Sequence, residues 1–591
     1  MQEIRSGFDY YAAMICKMLV GTGLLGLGLA MIGCDGASPG YFDPRMIQEP
    51  ERASASATVP ELRPLPTTRQ NAYADIGPEG ETENEGRNVR PSTGPDLDAD
   101  PVVRMSLSEI IHRAVANNHD VKVAGYQPAI DGARVIEATA NFDPTFFTNL
   151  QYQQKRDLTG GNIFNSFTGG APFVSLVNDS DTATFQTGFQ QNLGSGGQVQ
   201  LQYQSTYNYV LPQQTLSNPF YESDLTLSVN QPLLKNFGYD VNHAQIVIDR
   251  DNEKVSLLEF RKAVEQNASD IEKAYWQLSQ TIRDIEIQQN LIAQTEATYN
   301  VLYSRMQRHV DVSPLQVAQT QTQLELRRSQ LIQFKSQARD FSDQLKALMS
   351  DPEFPVSSPI VILPLDPPVE DRIEFDYQDQ MNTAMDNRLE LGEQQLKVDE
   401  ALTTIEVAKN NLLPEFDFIG SFGPEGAAGN LGDAIKTNSD FNHLDFGAGF
   451  KMQVPLGDRA PKAIYRRSLL QHEQAIESYR AAVEEIALDV KTSGRAVDTA
   501  WEVIRSSRRS RFAAEDALNR INSRERSGEP LTPEFVQLKL QIQDSLAESY
   551  QAEAEAIANY NIALGAMEKA KGTLLRYNNV VLQEEPLKME E

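Results

Sequence analysis

The sequence is poor in the residues on which disulfide networks, metal centres and catalytic centres depend. Only two cysteines and six histidines occur among 591 residues. Two cysteines cannot form a disulfide framework, and there is no CxxC motif, no Cys/His cluster and no metal-ligand spacing of the histidines. P-loop and HExxH motifs are also missing. The sequence therefore predicts no catalytic residue, no cofactor and no metal site, which argues against an enzyme.

Positive charge is scarce as well. Lys and Arg together number 53 against 82 Asp and Glu, so the formal net charge is −29. Nucleic acid requires dense neutralisation of its phosphates by Lys and Arg. We therefore expect no nucleic-acid partner.

Long apolar runs are confined to the N-terminus. Residues 18–33 are apolar and follow Arg5 and Lys17, which is typical of a secretory signal. The run ends at Met31-Ile-Gly-Cys34, which resembles the lipobox of bacterial lipoproteins and predicts lipidation of Cys34. A plain signal peptide cut nearby is the alternative. Residues 35–100 carry nine prolines and almost no apolar periodicity, which predicts a disordered tether.

Two parts of the remaining chain alternate polar and apolar residues, as in half-exposed strands. Gln198–Gln204 and Leu444–Val454 are the clearest examples. Strands of about 10 residues with one apolar and one polar face are what a transmembrane β-barrel requires. A half-buried sheet in water would need a second layer over its apolar face, and none is evident. The other alternating segments are 146–152, 183–190, 225–230 and 415–418.

Very long helices are predicted after both strand regions. Residues 239–309 and 459–526 contain no proline except Pro461, and at about 1.5 Å per residue each helix would span on the order of 100 Å. Apolar residues recur every seven positions, which predicts coiled-coil packing. The apolar stripe is narrow, so one side of each helix should meet water. The seven-residue repeats are Ile271, Leu278, Ile285 and Ile292, and Val483, Val490, Val497 and Ile504.

The chain is internally duplicated. Residues 114–146 align with residues 384–416 at a constant offset of 270 positions. Each half reads as a helix, strands, a very long helix, a short break and a returning helix, and such a repeat of one plan is a strong signal.

One chain has too few strands to close a barrel. We count six strand-like segments, of which four or six would lie in the membrane, whereas the smallest membrane barrels have eight strands. An open sheet edge in lipid leaves unpaired backbone groups that cost several kcal/mol each. Several copies should therefore share one barrel, and the long helices should continue it as a tube.

The motifs resemble the TolC outer-membrane efflux family. The resemblance covers roughly residues 105–570 and rests on Ser106-Leu-x-Glu109, Gln231-Pro-Leu-Leu-Lys-Asn-Phe-Gly238, Ala274-Tyr-Trp276 and Tyr560-Asn-x-Ala-Leu-Gly565. It implies an α+β membrane protein in which a homotrimer shares a short transmembrane β-barrel of twelve strands, continued by a long α-helical coiled-coil barrel. It also implies an outer-membrane location with a periplasmic extension, and a periplasmic adaptor and inner-membrane pump, or a type I secretion system, as partners.

The domains that follow from these patterns are a signal peptide at 1–33, a lipidated tether at 34–100, a first-repeat helix at 105–144, a first strand region at 145–232, a first helical hairpin at 233–350, a linker at 351–372, a second-repeat helix at 373–414, a second β-hairpin at 415–455, a second helical hairpin at 456–577 and an acidic tail at 578–591.

The two helix breaks are the candidate functional sites. In the resembled family such tips meet the adaptor and narrow the pore. We hypothesise that Asp311, Glu525 and Glu529 line the aperture and favour cations; solvated turn charges are the alternative. The tip residues are Asp311, Ser313, Pro314, Glu525, Gly528, Glu529 and Pro533. Ser313-Pro314 and Thr532-Pro533 are predicted to be the N-cap and the first residue of the two returning helices.

Two features leave alternatives open. The first strand region is longer than the second, and Gly194-Ser-Gly-Gly197 adds what looks like an extra hairpin. It would give eighteen strands per trimer if it entered the membrane, and twelve if it did not. The arginines at 505, 508, 509 and 511 would either pair with neighbouring acidic helices or dock an adaptor. A lipid-anchored structural coiled-coil protein is the alternative function, but it gives the alternating strands no purpose.

Overall fold

The computed structural model describes residues 101–160, 175–211, 218–310 and 312–580. Cys34, the predicted signal and tether, Asp311 and most of the predicted acidic tail lie outside these residues. The elements of the first half are β1 (Val102–Met105), α1 (Leu107–Asn117), α2 (His119–Thr139), β2 (Thr145–Gly160), β3 (Ser175–Asn192), β4 (Gln198–Leu211), β5 (Phe220–Pro232), α3 (Tyr239–Gln307) and α4 (Pro314–Met349). Those of the second half are β6 (Val361–Pro364), α5 (Tyr377–Asn387), α6 (Leu389–Asn410), β7 (Glu415–Ala428), α7 (Leu431–Ser439), β8 (Leu444–Gln453), α8 (Arg459–Arg526), α9 (Pro533–Ala570) and α10 (Leu574–Tyr577).

The six alternating segments of the sequence are the six strands of one antiparallel sheet. Its order is β2-β3-β4-β5-β7-β8. The four strands of the first region are therefore followed directly by the two of the second, because β5 pairs with β7. The sheet shows that the alternating pattern belongs to one continuous surface.

One face of this sheet carries an apolar row that crosses all six strands. Directly paired residues lie on the same face of an antiparallel sheet, and successive pairings join one residue of each strand. All six side chains are exposed. We call them the apolar row: Phe146, Phe189, Leu201, Leu227, Phe422 and Phe446.

The opposite face is mainly polar, with apolar exceptions such as Phe147 and Ile419. The residue next to each member of the apolar row points to the other side of the sheet. Amides on this face bond to one another: Gln186 Nε2 donates to Gln204 Oε1 at 2.8 Å, and Gln200 Nε2 donates to Gln202 Oε1 at 2.8 Å. The paired row on this face comprises Thr145, Gln190, Gln200, Ser228, Ser421 and Gly447, which all carry polar side chains except the glycine.

The long helices begin where strands of this sheet end. Helix α3 has 69 residues and α8 has 68, so each extends about 100 Å at 1.5 Å per residue. The predicted seven-residue repeat is buried at Ile271, Leu278 and Ile285 in α3. It is also buried at Val490, Val497 and Ile504 in α8. These positions form the buried apolar stripe that the sequence predicts for each helix.

The helices stand side by side in one layer. In the half next to the sheet, α2 packs on α3, α3 on α6 and α6 on α8. In the other half, α4 packs on α3, α3 on α9 and α9 on α8. Among the described residues, no helix is long and apolar enough to cross a membrane.

A small parallel sheet and two tyrosines join the halves of the chain. Strand β1 pairs with β6, and the buried Tyr275 hydroxyl accepts from the backbone N–H groups of Leu365 and Asp366 at 3.0 and 2.9 Å. In the second half, the buried Tyr560 hydroxyl accepts from Ile373 N–H at 3.1 Å and donates to the Asp371 carbonyl at 3.0 Å. These two motif tyrosines of the sequence therefore hold the linker against the long hairpins.

Candidate functional site: the helical tips and the two faces of the sheet

The first tip lies between α3 and α4. The sequence predicts Ser313 and Pro314 as the cap and first residue of the returning helix, and this is confirmed. The Ser313 hydroxyl accepts from Gln316 N–H, and the Gln316 side chain accepts from Ser313 N–H at 2.7 Å, a reciprocal capping box. Pro314 occupies the first helical position, where its missing N–H costs nothing.

The second tip lies between α8 and α9 and uses the same chemistry. The Thr532 hydroxyl accepts from Phe535 N–H at 3.3 Å, and Pro533 begins the helix. Gly528 has φ +84°, a conformation that glycine adopts without steric cost. This turn lets the chain reverse two residues after α8 ends.

The two tips are packed against each other. Gln316 Nε2 donates to the Leu531 carbonyl at 2.8 Å, a buried bond between the tips. A shared apolar cluster surrounds it. The structure therefore brings the predicted tip residues of both halves to one end of the helical layer. The cluster contains Leu302, Val317, Ala514, Leu518, Ile521, Leu531, Phe535, Val536, Leu540 and Leu546.

The acids of the second tip are each opposed by a cation. Glu525 accepts from Lys539 Nζ at 2.6 Å, and Glu529 accepts from Arg524 Nε at 2.7 Å. The Arg524 guanidinium lowers the pKa of the exposed Glu529 carboxyl. Asp311 lies outside the described residues.

Three of the four arginines in the α8 cluster are paired with acids. Arg508 Nε donates to Glu553 Oε1 at 2.9 Å, and Arg511 bonds to the other oxygen of the same carboxylate. Arg505 pairs with Glu502 at 2.9 Å. Arg509 Nε donates to the Arg505 carbonyl at 3.2 Å. Arg508 and Arg511 therefore follow the alternative in which the cluster pairs with a neighbouring helix, whereas Arg505 pairs within α8.

Sequence reasoning missed a buried arginine between the two hairpins. Arg327 of α4 is 2% exposed. Its Nε donates to Asp544 Oδ1 of α9 at 3.1 Å, and its terminal nitrogens bond to the Leu540 carbonyl and the Thr295 hydroxyl. An arginine inside a polar helical stretch gives no sign of burial, because the partners come from two other helices.

Three buried carboxyls of α3 were also missed. Burial raises the pKa of Glu265, Glu272 and Asp284 to about 7 each. Glu272 lies beside Gly565 of α9, whose missing side chain makes room for it: a Cβ there would stand 2.1 Å from the carboxylate. The negative charge of Glu568 adds to the raised pKa of Glu272, and a hydrogen bond from Asn578 opposes it.

We expect Glu272→Gln to stabilise the protein above pH 7 and to leave it unchanged near pH 4. The carboxyl has a higher pKa folded than unfolded, so the folded state holds more protons between about pH 4.5 and 7. Wild-type stability is therefore greatest below this window and falls as pH rises through it, by about 3 kcal/mol for this group. Thermal unfolding at pH 4.5 and 8 measures the difference. The exposed Glu286→Gln serves as control, and an equal shift in both variants would contradict the assignment.

The described residues contain no group of three or more His, Cys, Asp or Glu placed to hold a metal ion. What the structure does bring together is a two-faced sheet, long helices in one layer and two capped tips.

Several solved outer-membrane channels have this fold. The chain matches the Campylobacter jejuni CmeC outer membrane channel with a TM-score of 0.56 and 15% identity, over 79% of this chain and 86% of that one. It matches the Vibrio cholerae outer membrane protein VceC with a TM-score of 0.54 and 13% identity, over 79% of this chain and 96% of that one. It matches the open state of the Neisseria gonorrhoeae MtrE outer membrane channel with a TM-score of 0.52 and 15% identity, over 79% of this chain and 89% of that one. These likenesses show that the chain has the mixed α and β fold of these channels.

The second half of the chain also matches a family model. Residues 381–573 match the family described as outer membrane efflux protein. No curated protein matches the chain. The resemblance to TolC-type outer-membrane efflux proteins is confirmed. The matched proteins are channels and not enzymes, which also confirms the non-enzymatic prediction.

Proposed function

We propose that the protein is the outer-membrane duct of a tripartite efflux system or a type I secretion system. It passively conducts substrates from a periplasmic adaptor and an inner-membrane pump to the outside. The observation that carries this proposal is the sheet, which has the apolar row on one face and mainly polar residues on the other. Two helices of about 100 Å each begin just after two of its strands end. Outer-membrane lipid would meet the apolar row, and water the polar face.

A homotrimer completes this duct. Within the described residues, β2 and β8 each pair on one side only. Neighbouring strands alternate in direction, and the sheet has six strands, so β2 and β8 run in opposite directions. When copies are placed side by side, β8 of one copy can therefore pair with β2 of the next as an antiparallel neighbour. Such closure removes both open edges from lipid. The flanking helices support it, since Val123, Tyr126 and Ile130 of α2 expose an apolar stripe.

The second flank of the helical layer is also apolar. Leu470, Leu488 and Phe512 of α8 are exposed in the single chain. In the trimer we place this flank against α2 and α4 of the next copy, so that the helical layer closes as the sheet does. The offset of 270 residues supports an internal duplication: α1 and α5 begin at residues 107 and 377, and α2 and α6 at 119 and 389.

Lipidation of Cys34 and a periplasmic extension complete the proposal. An outer-membrane barrel with its helices on the periplasmic side would place the tips on the order of 100 Å from the bilayer. There they would meet the adaptor. Mass spectrometry of the mature N-terminus tests the lipid, with Cys34→Ser as the control.

The duct is tested by reconstitution of the full mature chain in planar bilayers. We expect ion conductance, together with a trimer-sized, heat-modifiable band on a gel. A water-soluble single chain without conductance would refute the proposal. A deletion strain sensitised to a panel of toxic compounds would then define the substrates.

We further propose that the tips form the aperture of the duct. Ser313, Pro314, Gly528 and Pro533 shape the two turns. Asp311, Glu525 and Glu529 are the acids that would act on passing cations, although Lys539 opposes Glu525 and Arg524 opposes Glu529 in the single chain.

Replacing these three acids with their amides is expected to lower the permeability of cations relative to chloride. The exposed Glu325→Gln on α4, outside the tips, is the control. An unchanged ion selectivity of the triple variant would exclude an aperture role.

A further inference from the structure

The extra hairpin formed by β3 and β4 occupies the middle of the first strand region. We propose that this hairpin is part of the pore wall, so that three copies of a six-stranded sheet close an eighteen-stranded barrel. The inference rests on the proposed duct function and deepens it, because it sets the width and the lining of the outer mouth.

The first support is the hydrogen-bonded ladder. Strand β3 pairs with β2 from Thr145↔Gln190 to Gly160↔Ser175, and β4 pairs with β5 from Gln198↔Asn230 to Asn208↔Phe220. The hairpin therefore stands between β2 and β5, and neither of its strands is an edge. A hairpin that only decorated the rim would leave β2 and β5 to pair with each other. Here they are separated by two full strands.

The second support is the continuity of the two faces. Phe189 of β3 and Leu201 of β4 occupy the apolar row between Phe146 and Leu227. They are 55% and 43% exposed. On the other face, Gln186, Gln200, Gln202 and Gln204 continue the polar surface. The hairpin thus has the same lipid-directed and water-directed faces as its neighbours.

The third support is the height that the hairpin spans. Its tight turn reaches the strand-to-helix junction, where the Ser195 carbonyl accepts from Gly238 N–H at 3.2 Å. Near the same end, Gln191 Nε2 donates to the Phe142 carbonyl at 3.1 Å and Asn192 Nδ2 donates to the Asn141 carbonyl at 3.0 Å. These contacts fasten the turn to the ends of the helices that flank the sheet. The hairpin therefore crosses the whole sheet and does not stop at one rim.

The turn also fits this position closely. Gly196 has φ +89°, and a Cβ there would lie 2.1 Å from the Asn236 carbonyl oxygen. Strands β3 and β4 have 18 and 14 residues, more than the 9–11 residues or so that cross a bilayer. Length and attachment together allow the hairpin to span the membrane.

A wider mouth with an amide lining follows. Barrel diameter grows roughly linearly with strand number, so eighteen strands give an opening about 1.5 times wider than four strands per copy would give. The added wall carries uncharged glutamines on its polar face. The outer mouth would admit bulkier polar molecules than a twelve-stranded barrel.

Single tryptophans test the placement of the hairpin. In a Trp276→Phe, Trp501→Phe background of the full chain, we would introduce Leu201→Trp or Gln202→Trp, with Leu227→Trp and Ser228→Trp as the matched pair on β5. In vesicles we expect brominated lipid to quench Leu201→Trp as strongly as Leu227→Trp. Aqueous iodide should quench Gln202→Trp and Ser228→Trp. If Leu227→Trp and Ser228→Trp were quenched by lipid and by iodide respectively, but Leu201→Trp and Gln202→Trp were not, the hairpin would lie outside the barrel wall.

Hairpin deletion tests the width. A chain in which a short turn replaces residues 161–217 can still pair β2 with β5, because the two strands run in opposite directions. In planar bilayers, with polyethylene glycols added on the outer side, we expect the full chain to admit larger polymers than the deletion variant. Equal polymer cut-offs would overturn the inference while the duct stands, whereas no conductance from the full chain would overturn the duct itself. If the deletion variant does not assemble, the tryptophan pairs decide.

Discussion

Arg327→Ala is expected to cost about 3–5 kcal/mol and to loosen the contact between the two helical hairpins. The guanidinium is 2% exposed and bonds at once to the side chain of Asp544, the carbonyl of Leu540 and the hydroxyl of Thr295. These partners lie on α9 and α3, so the arginine joins three helices. Alanine would remove the bonds and leave a cavity.

The neighbouring Arg328 provides a matched control. Its side chain is 47% exposed and pairs with Glu296 and Glu325 at 2.6 and 2.8 Å. Exposed pairs of this kind contribute about 0–1 kcal/mol, so Arg328→Ala should have little effect. Thermal unfolding of the full chain gives the total change. Hydrogen exchange in α4 and α9 shows whether it is local.

A double variant separates burial from bonding at the same site. Arg327→Met with Asp544→Leu keeps much of the volume and removes both charges, and such replacements are often neutral or stabilising. We expect it to recover most of the loss caused by Arg327→Ala. Equal losses in Arg327→Ala and Arg328→Ala would show that Arg327 does not hold the hairpins together.

Leu227→Arg should prevent stable insertion into a bilayer, whereas Ser228→Arg should not. Leu227 belongs to the apolar row, between Leu201 and Phe422, and Ser228 is its neighbour on the polar face. Arginine on the lipid side of a membrane barrel costs about 2–4 kcal/mol at the bilayer midplane. In a trimer the cost is incurred in each of the three copies.

Urea titration of folding into lipid vesicles measures this difference. Both variants carry the same added charge on adjacent residues of β5, so any general effect of charge cancels. An equal loss of folding free energy in the two variants would mean that the apolar row does not face lipid. A larger loss in Ser228→Arg would reverse the assignment of the two faces.

The local structure was predictable because it depends on residues close in the chain. The alternation of polar and apolar residues predicted all six strands of the antiparallel sheet. The seven-residue apolar repeat identified buried positions such as Leu278 and Val497. The Ser-Pro and Thr-Pro pairs identified both tip caps, at Ser313 and Thr532. In each case the spacing alone decides which side chains share a face or which backbone N–H groups need a partner.

The sequence by itself determined the two-faced strands, the two very long helices and the capped turns between them. Only the tertiary structure decided that the hairpin after β2 pairs into the middle of the sheet, and that Arg327 and Glu272 are buried. Strand order depends on backbone hydrogen bonds between distant segments. The burial of a polar side chain depends on which helices pack around it. The spacing of residues along the chain therefore predicts neither the strand order nor the burial of these side chains.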